Sequence, residues 1–282
     1  MKKTKVKIPA KINLALDVVG VKDGFHMLET LVASVNIFDE IVVKKRTDGK
    51  ITLTERGIKS GCPLEKNNAY KAAKRYIETF GETGADIILE KNIPVGGGLG
   101  GSSADIAGVL KGLNILFGGN RDIKPLADEL GSDSGYMLNG GYAILRGKGD
   151  IEEKVNFSDK FYLLIIKEEG QVNSGACYKT FDELGKTFPP SSTLAAKKLE
   201  QGDFEEFCSL IKNDLTSPAV KILPNIGKNI DRLKSTFAKA ALMTGSGSCS
   251  FAVFENKNKR DKAYKKLKKE YGKKLIKANT IV

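Results

Sequence analysis

The stretch Pro94-Val95-Gly96-Gly97-Gly98-Leu99-Gly100-Gly101-Ser102-Ser103-Ala104 decides how this chain is read. Its five glycines remove the side chains that would hold a ligand away from backbone N–H groups. Ile106, Val109, Leu110, Leu113 and Leu116 then recur at helical spacing, so the loop opens a helix. Amides at such a helix start have no partner within the helix and lie at the positive end of its dipole, which suits a phosphate. Ser102 and Ser103 add hydroxyls suited to a phosphate oxygen or Mg²⁺, and Asp105 lies one turn in. A flexible turn before a serine-capped helix is the plainer alternative, and five glycines carry a large ordering entropy for a turn alone.

The same residues satisfy G-x-G-x-x-G as Gly96, Gly98 and Gly101, with Asp122 near the place of a ribose-binding acid. A dinucleotide fold would place this loop in a regular βαβ unit. Here VKIPA, INLALDVVG, LETLVASVNI, EIVVKKR and ITLTE come first, all rich in β-branched residues and divided by turn signals such as Lys22-Asp23-Gly24 and Asp48-Gly49. A helix follows Asn67 and Asn68, with Tyr70, Ala73, Ile77 and Phe80 on one face, and the strand ADIILEKNIP then feeds the loop. The glycine loop lacks the Gly-Lys-Ser/Thr that ends a Walker loop, and the chain has neither the H-R-D nor the D-F-G of a protein kinase. After a polar, glycine-bearing stretch at 147–161 the chain restarts with FYLLII, alternating helices (194–199, 204–211) with short strands (240–243, 251–254). The pattern predicts an α+β chain with domains at 1–155 and 156–282.

The opening MKKTKVKIPAKINLALDVVG has the basic start of a signal peptide, but Lys11, Asn13 and Asp17 break its apolar run and no small-residue cleavage site follows. It reads as a strand. No stretch reaches the roughly 18 apolar residues of a membrane span, so no membrane partner is expected. Cys62, Cys177, Cys208 and Cys249 lie far apart, form no C-x-x-C pair and have one histidine, His26, to join them, which predicts reduced thiols in the cytoplasm. Much of the net charge of +12 lies in NKNKRDKAYKKLKKEYGKKLIK, where Ala263, Tyr264, Leu267 and Tyr271 mark a helix with one buried side. With no nucleic-acid-binding motif beside it, this reads as a solvated face rather than a nucleic-acid surface.

The run P-V-G-G-G-L-G-G-S-S-A resembles the ATP loop of the GHMP kinases, the family of galactokinase, homoserine kinase, mevalonate kinase and phosphomevalonate kinase. Pro9-Ala10-Lys11-Ile12-Asn13-Leu14 is similar to that family's first motif and Thr244-Gly245-Ser246-Gly247-Ser248-Cys249 to its third. DGFHMLET from 23, LGSD from 130, GKGD from 147, NSGACY from 173 and NDLTSPA from 213 resemble, in order, the members whose acceptor alcohol carries a cytidine diphosphate, in non-mevalonate isoprenoid precursor synthesis.

The resemblance implies a two-domain α+β kinase with its active site in the cleft between the domains, ATP and Mg²⁺ as cofactors, and a small-molecule acceptor. It makes Pro94, Gly96, Gly97, Gly98, Leu99, Gly100, Gly101, Ser102 and Ser103 the ATP-binding residues, with Ser103 as a Mg²⁺ contact. Asp133 becomes the base that takes the alcohol proton, and Lys11 the cation that stabilises the forming alkoxide. His26 would read the cytosine edge between Phe25 and Tyr178. Asn13, Lys148 and Ser174 would hold polar parts of the substrate, with Lys148 on its diphosphate. Gly245 and its neighbours would form a positioning loop.

Two departures stand out. The ATP loop carries Ser102-Ser103-Ala104-Asp105 where the family has Ser-Ser-Asp-Ala, with the serines one place earlier in the loop, and Ser134-Gly135-Tyr136 replaces Val-Pro-Phe after the aspartate. Besides the cytidyl kinase, the resemblance leaves open a kinase for another small alcohol and a weakly active nucleotide-binding relative with a sensor or partner role.

Overall fold

Where the pattern predicts four short strands before residue 46, the chain forms two long ones, β1 (Lys3–Lys22) and β2 (Phe25–Lys45). They join at Asp23-Gly24, both with positive φ, as a tight two-residue hairpin requires. The computed structural model describes residues 2–185 and 189–282. It falls into two compact units, neither a consecutive half of the chain.

The first unit takes the segments up to Ala10, Ile37–Val95 and Gly100–Gly140. The second half of β2 pairs antiparallel with β4 (Ala85–Lys91), placing Val42 opposite Ile88, and β3 (Ile51–Gly57) runs parallel to β4 on its far side. Every second residue of β4 is buried, from Ala85 through Ile87 and Leu89 to Lys91. The helices are α1 (Asn68–Phe80), α2 (Gly101–Leu116), α3 (Lys124–Leu130) and α4 (Ser134–Asn139). In α1 the fully buried face is Ala69, Ala72, Ala73 and Tyr76, so the predicted stripe through Tyr70 and Ile77 is rotated toward the rim. Helix α2 carries the predicted apolar side and more: Ala104, Asp105, Ala107, Gly108 and Gly112 are buried as well. Gly108 lets it approach the strands, since a Cβ there would lie 2.3 Å from the Ile41 side chain.

The second unit takes Lys11–Asn36, Gly96–Leu99 and Gly141–Val282. At its centre β7 (Tyr162–Ile166) lies antiparallel between β9 (Ser250–Phe254) and β10 (Leu275–Ile281), with β8 (Ala240–Met243) beyond β9. Strand β10 also reaches β2, where Thr280 pairs with Val35. The first half of β2 pairs with β5 (Tyr142–Gly147), which pairs in turn with β6 (Ile151–Lys154). The helices of this unit are α5 (Ser174–Leu184), α6 (Ser192–Glu200), α7 (Phe204–Leu210), α8 (Thr216–Ile222), α9 (Asn225–Lys234) and α10 (Lys257–Tyr271).

Helix α10 is the lysine-rich segment. Ala263 and Leu267 face the core, and Arg260 is buried with them, donating to the Ala278 carbonyl. The four cysteines are free thiols, and burial pushes Cys177 up to about 11 and Cys208 and Cys249 up to about 12. Among the described residues no helix is long and apolar enough to cross a membrane.

Candidate active site

In the first unit, helix α2 begins at Gly100, which takes a left-handed φ of 74°, and no side chain caps it. Its first backbone bond runs from the Ala104 N–H to the Gly100 carbonyl, 2.8 Å, so the N–H groups of Gly101, Ser102 and Ser103 precede the first helical bond. The bland reading of the glycine loop as a serine-capped turn therefore does not hold. Ser102 instead accepts from Asn68 Nδ2 at 2.5 Å. A Cβ on Gly131 would sit 3.5 Å from the Ser103 hydroxyl and 2.6 Å from that of Ser134, so the start of α2 and the turn carrying Asp133 are close neighbours.

Asp133 occupies the N-cap position of α4 yet makes no capping hydrogen bond there. The ordinary structural use of an aspartate at a helix start is thus not the one it serves. The residues after it, Ser134 to Leu138, are buried. Gly135, standing where the resemblance would have proline, leaves room for the Asp128–Lys124 pair: a Cβ there would fall 1.9 Å from Asp128 Oδ1, so that side chain would have to move aside. The turn is held by burial instead of by a proline ring.

Under the start of α2 lies a group that sequence reasoning missed. Lys91 Nζ reaches Asp39 at 2.9 Å and Asp105 at 2.6 Å, all three side chains buried. Asp39 Oδ1 also accepts from the N–H groups of Asn92 and Ile93, at 2.5 and 2.8 Å. Two carboxylates share one ammonium, and burial drives Asp105 up to about 7 against the pull of Lys91. Its Oδ1 has no hydrogen-bond partner. The available signal was a lysine at an inward position of an alternating strand. Asp122, by contrast, accepts from the Lys124 N–H at the start of α3, which is a turn role.

In the second unit, the first part of the glycine loop lies on the third motif. The Ser248 N–H donates to Gly96 O at 3.3 Å, the Cys249 N–H to Gly97 O at 3.1 Å, the Thr244 hydroxyl to Gly98 O at 3.3 Å, and the Lys11 N–H to Leu99 O at 3.0 Å. The approach is so close that a Cβ on Gly98 would lie 2.2 Å from the Thr244 carbonyl oxygen. Leu99 is buried, as is Pro94 in the first unit's segment that leads into the loop. Gly245 also touches Gly98, and its carbonyl accepts from Asn213 Nδ2 at 2.8 Å.

The same contacts bring in the first motif. Asn13 donates its backbone N–H to the Thr244 hydroxyl at 2.9 Å, and Lys11 Nζ donates to Asn13 Oδ1 at 2.6 Å. Both side chains are buried.

Near the β1–β2 hairpin, the His26 ring stacks on Tyr178 with centroids 4.6 Å apart and planes inclined by 20°, and Nε2 lies 2.8 Å from Asp182. Phe25 is 56% exposed, with Lys148 Nζ 3.7 Å from its ring centre. The described ring over Tyr178 is thus His26, and Phe25 is joined with Lys148. Ser174, the first residue of α5, shares a 2.8 Å hydrogen bond with Ser246 of the third motif.

The arrangement can bind an anion at an uncapped helix start, beside an aspartate that caps nothing, and can hold a flat polar ring at the hairpin. A family model for the GHMP kinases N terminal domain matches residues 67–145, and one for the GHMP kinases C terminal domain matches 195–274. A 4-diphosphocytidyl-2-C-methyl-D-erythritol kinase of Caldicellulosiruptor saccharolyticus is 35% identical over 93% of this chain and 92% of its own length. That of Clostridium beijerinckii is 35% identical over 95% and 96%. Among solved structures, a 4-(cytidine 5'-diphospho)-2C-methyl-D-erythritol kinase superposes with a TM-score of 0.83 at 29% identity, covering 99% of this chain and all of that one. A homoserine kinase from Cytophaga hutchinsonii shares the fold, with a TM-score of 0.77 at 22% identity over 100% of this chain and 95% of its own.

Proposed function

The chain belongs to the GHMP kinases, among those named 4-diphosphocytidyl-2-C-methyl-D-erythritol kinase, and on that footing we propose that it transfers the γ-phosphate of ATP to the 2-hydroxyl of 4-diphosphocytidyl-2-C-methyl-D-erythritol. The observation that supports this most directly is the uncapped start of α2 beside the turn of Asp133, an anion site next to a carboxylate that performs no capping.

The loop amides and the α2 dipole hold the ATP phosphates, and the third motif fixes the loop's backbone from below. Asp133 takes the proton of the 2-hydroxyl as its oxygen attacks the γ-phosphorus. The bond to the β-phosphate oxygen breaks, leaving ADP and a phosphate ester. Lys11 stabilises the alkoxide charge as it forms, and its contact with Asn13 fixes the reach of its ammonium. Among the described residues no group of three or more His, Cys, Asp or Glu is placed to hold a metal unaided. That fits Mg²⁺ brought by the nucleotide, for which Ser103 and Ser102 offer the hard oxygen donors such an ion prefers. Bound there, Mg²⁺ neutralises charge on the phosphates.

His26, Phe25 and Tyr178 receive the cytosine, while Lys148 and Ser174 hold polar parts beyond it. A base hydrogen-bonded in the plane of the imidazole lies nearly parallel to Tyr178, because the two rings are inclined by only 20°. We assign residues 1–155 to ATP binding and 156–282 to completing the acceptor site, and place the reaction in the cytoplasm, in keeping with the four free thiols.

The test is ADP formation by purified protein with Mg·ATP and, in turn, the cytidyl substrate, mevalonate and homoserine. Turnover confined to the cytidyl substrate and lost in Asp133→Asn is expected. Turnover with only another alcohol, or none with any, overturns the reading.

A further inference from the structure

Helix α5 presents Tyr178, Phe181 and Asp182 at i, i+3 and i+4, the spacing of one helix face. All three act on the same imidazole. Tyr178 lies flat on it, Phe181 meets it edge-on with centroids 6.2 Å apart at 84°, and Asp182 Oδ1 is 2.8 Å from Nε2. One helix face therefore sets the plane of the ring and its rotation within that plane. The ring is mostly buried, its side chain 15% exposed, so it has little room to turn over.

A carboxylate accepts hydrogen bonds and cannot donate them. A neutral His26 facing Asp182 therefore carries its proton on Nε2, and Nδ1 is left as a bare acceptor. Among the described residues Nδ1 has no hydrogen-bond partner. An acceptor held in a fixed plane selects a donor in that plane. The two common pyrimidines differ there: cytosine carries an exocyclic amine, which donates, and uracil a carbonyl, which accepts.

Resting on the kinase reading above, we propose that Asp182 is the positioning residue that sets pyrimidine specificity: it orients His26 so that Nδ1 accepts from the exocyclic amine of cytosine and repels the carbonyl of uracil. Leaving two acceptors face to face is the kind of mismatch by which hydrogen-bonding sites reject an analogue strongly.

Two measurements test this separately from the kinase reading. Because His26 is the only histidine in the chain, its ring nitrogens give one isolated pair of ¹⁵N resonances. At alkaline pH they should report a proton on Nε2, and a proton on Nδ1 would overturn the proposal whether or not the protein is active. The second measurement is the ratio of kcat/KM for the cytidyl substrate to that for its uridyl counterpart. The ratio should be about a hundredfold or more in the wild type, fall at least tenfold in Asp182→Ala through KM for the cytidyl substrate, and recover in Asp182→Glu. An unchanged ratio in Asp182→Ala overturns the proposal while leaving the kinase reading standing. Absence of turnover with both substrates in the wild type sinks the kinase reading, and the specificity role with it.

Discussion

At position 98 a single methyl group would meet the Thr244 carbonyl oxygen at 2.2 Å, on a backbone whose φ of +74° already disfavours a side chain. Gly98→Ala should therefore raise KM for ATP at least tenfold and lower the melting temperature. Gly81→Ala serves as the control: it has the same backbone hand, φ +66°, with nothing within 4 Å, and should cost only about 1 kcal/mol with KM unchanged. Equal effects of the two substitutions on KM would show that the close approach to the third motif is irrelevant to ATP.

The buried carboxylates make opposite pH predictions. Asp105, raised to about 7, favours folding when protonated, so its contribution is complete below the ordinary carboxylate range and fades as pH rises toward 7. Urea unfolding at pH 5 and pH 8 should show the wild type losing stability toward pH 8 relative to Asp105→Asn. Burial pulls Asp17 up as well. Lys212, the Ser192 hydroxyl and the N–H groups of Ser191 and Ser192 outweigh that and hold it below the ordinary carboxylate value. Its contribution is present above that value and is lost as pH falls through the lowered one, so Asp17→Asn should flatten the acid limb of the stability curve.

Among the elements, β1, the glycine loop and the third motif meet at the Thr244 hydroxyl, which accepts from the Asn13 N–H and donates to Gly98 O. Thr244→Val keeps the shape and deletes both bonds, leaving a buried N–H without its acceptor. A loss of about 1–3 kcal/mol is expected, with KM for ATP raised and KM for the acceptor little changed. A parallel rise in both would place the third motif on the acceptor side instead. Helix α1 offers a simpler test: Asn67 caps it by accepting from the Ala69 N–H at 2.9 Å, and Asn67→Ala should lower stability by about 1 kcal/mol.

Elements with local causes were legible in the sequence. Strands β8 and β9, helices α6 and α7, the Asp23-Gly24 turn and the loop-to-helix junction all follow from short-range spacing. The long strands were not, because polar residues interrupt their apolar runs. Lys11, Asn13, Asp17 and Asp39 are those interruptions, and each is buried against partners remote in the chain or within the first motif. A polar residue looks like a break in a strand until its distant partner is known. Lys91 and Asp182 were missed for the same reason: what distinguishes them is the residue each meets, and that residue is supplied by the fold.

Across the whole molecule, much of the net charge of +12 lies on α10, whose lysines flank a buried side of Ala263, Leu267 and Arg260. Screening of that charge should slow encounter with anionic substrates modestly, so kcat/KM is expected to fall with added salt while kcat holds. Each compact unit is stitched from three stretches of chain, and β10 completes the sheet of the second unit by pairing Thr280 with Val35. Severing the chain at 155 should accordingly give two fragments that fail to fold alone, as circular dichroism of each would show. The pairing has a consequence for biosynthesis. On the ribosome, the hairpin bearing His26 emerges early, yet the strand that seals its neighbour emerges only after most of the chain has been made. The edge of β2 that Thr280 meets therefore stays open while the segments between the two strands are made, an interval in which it is exposed to misplaced pairing or chaperone contact.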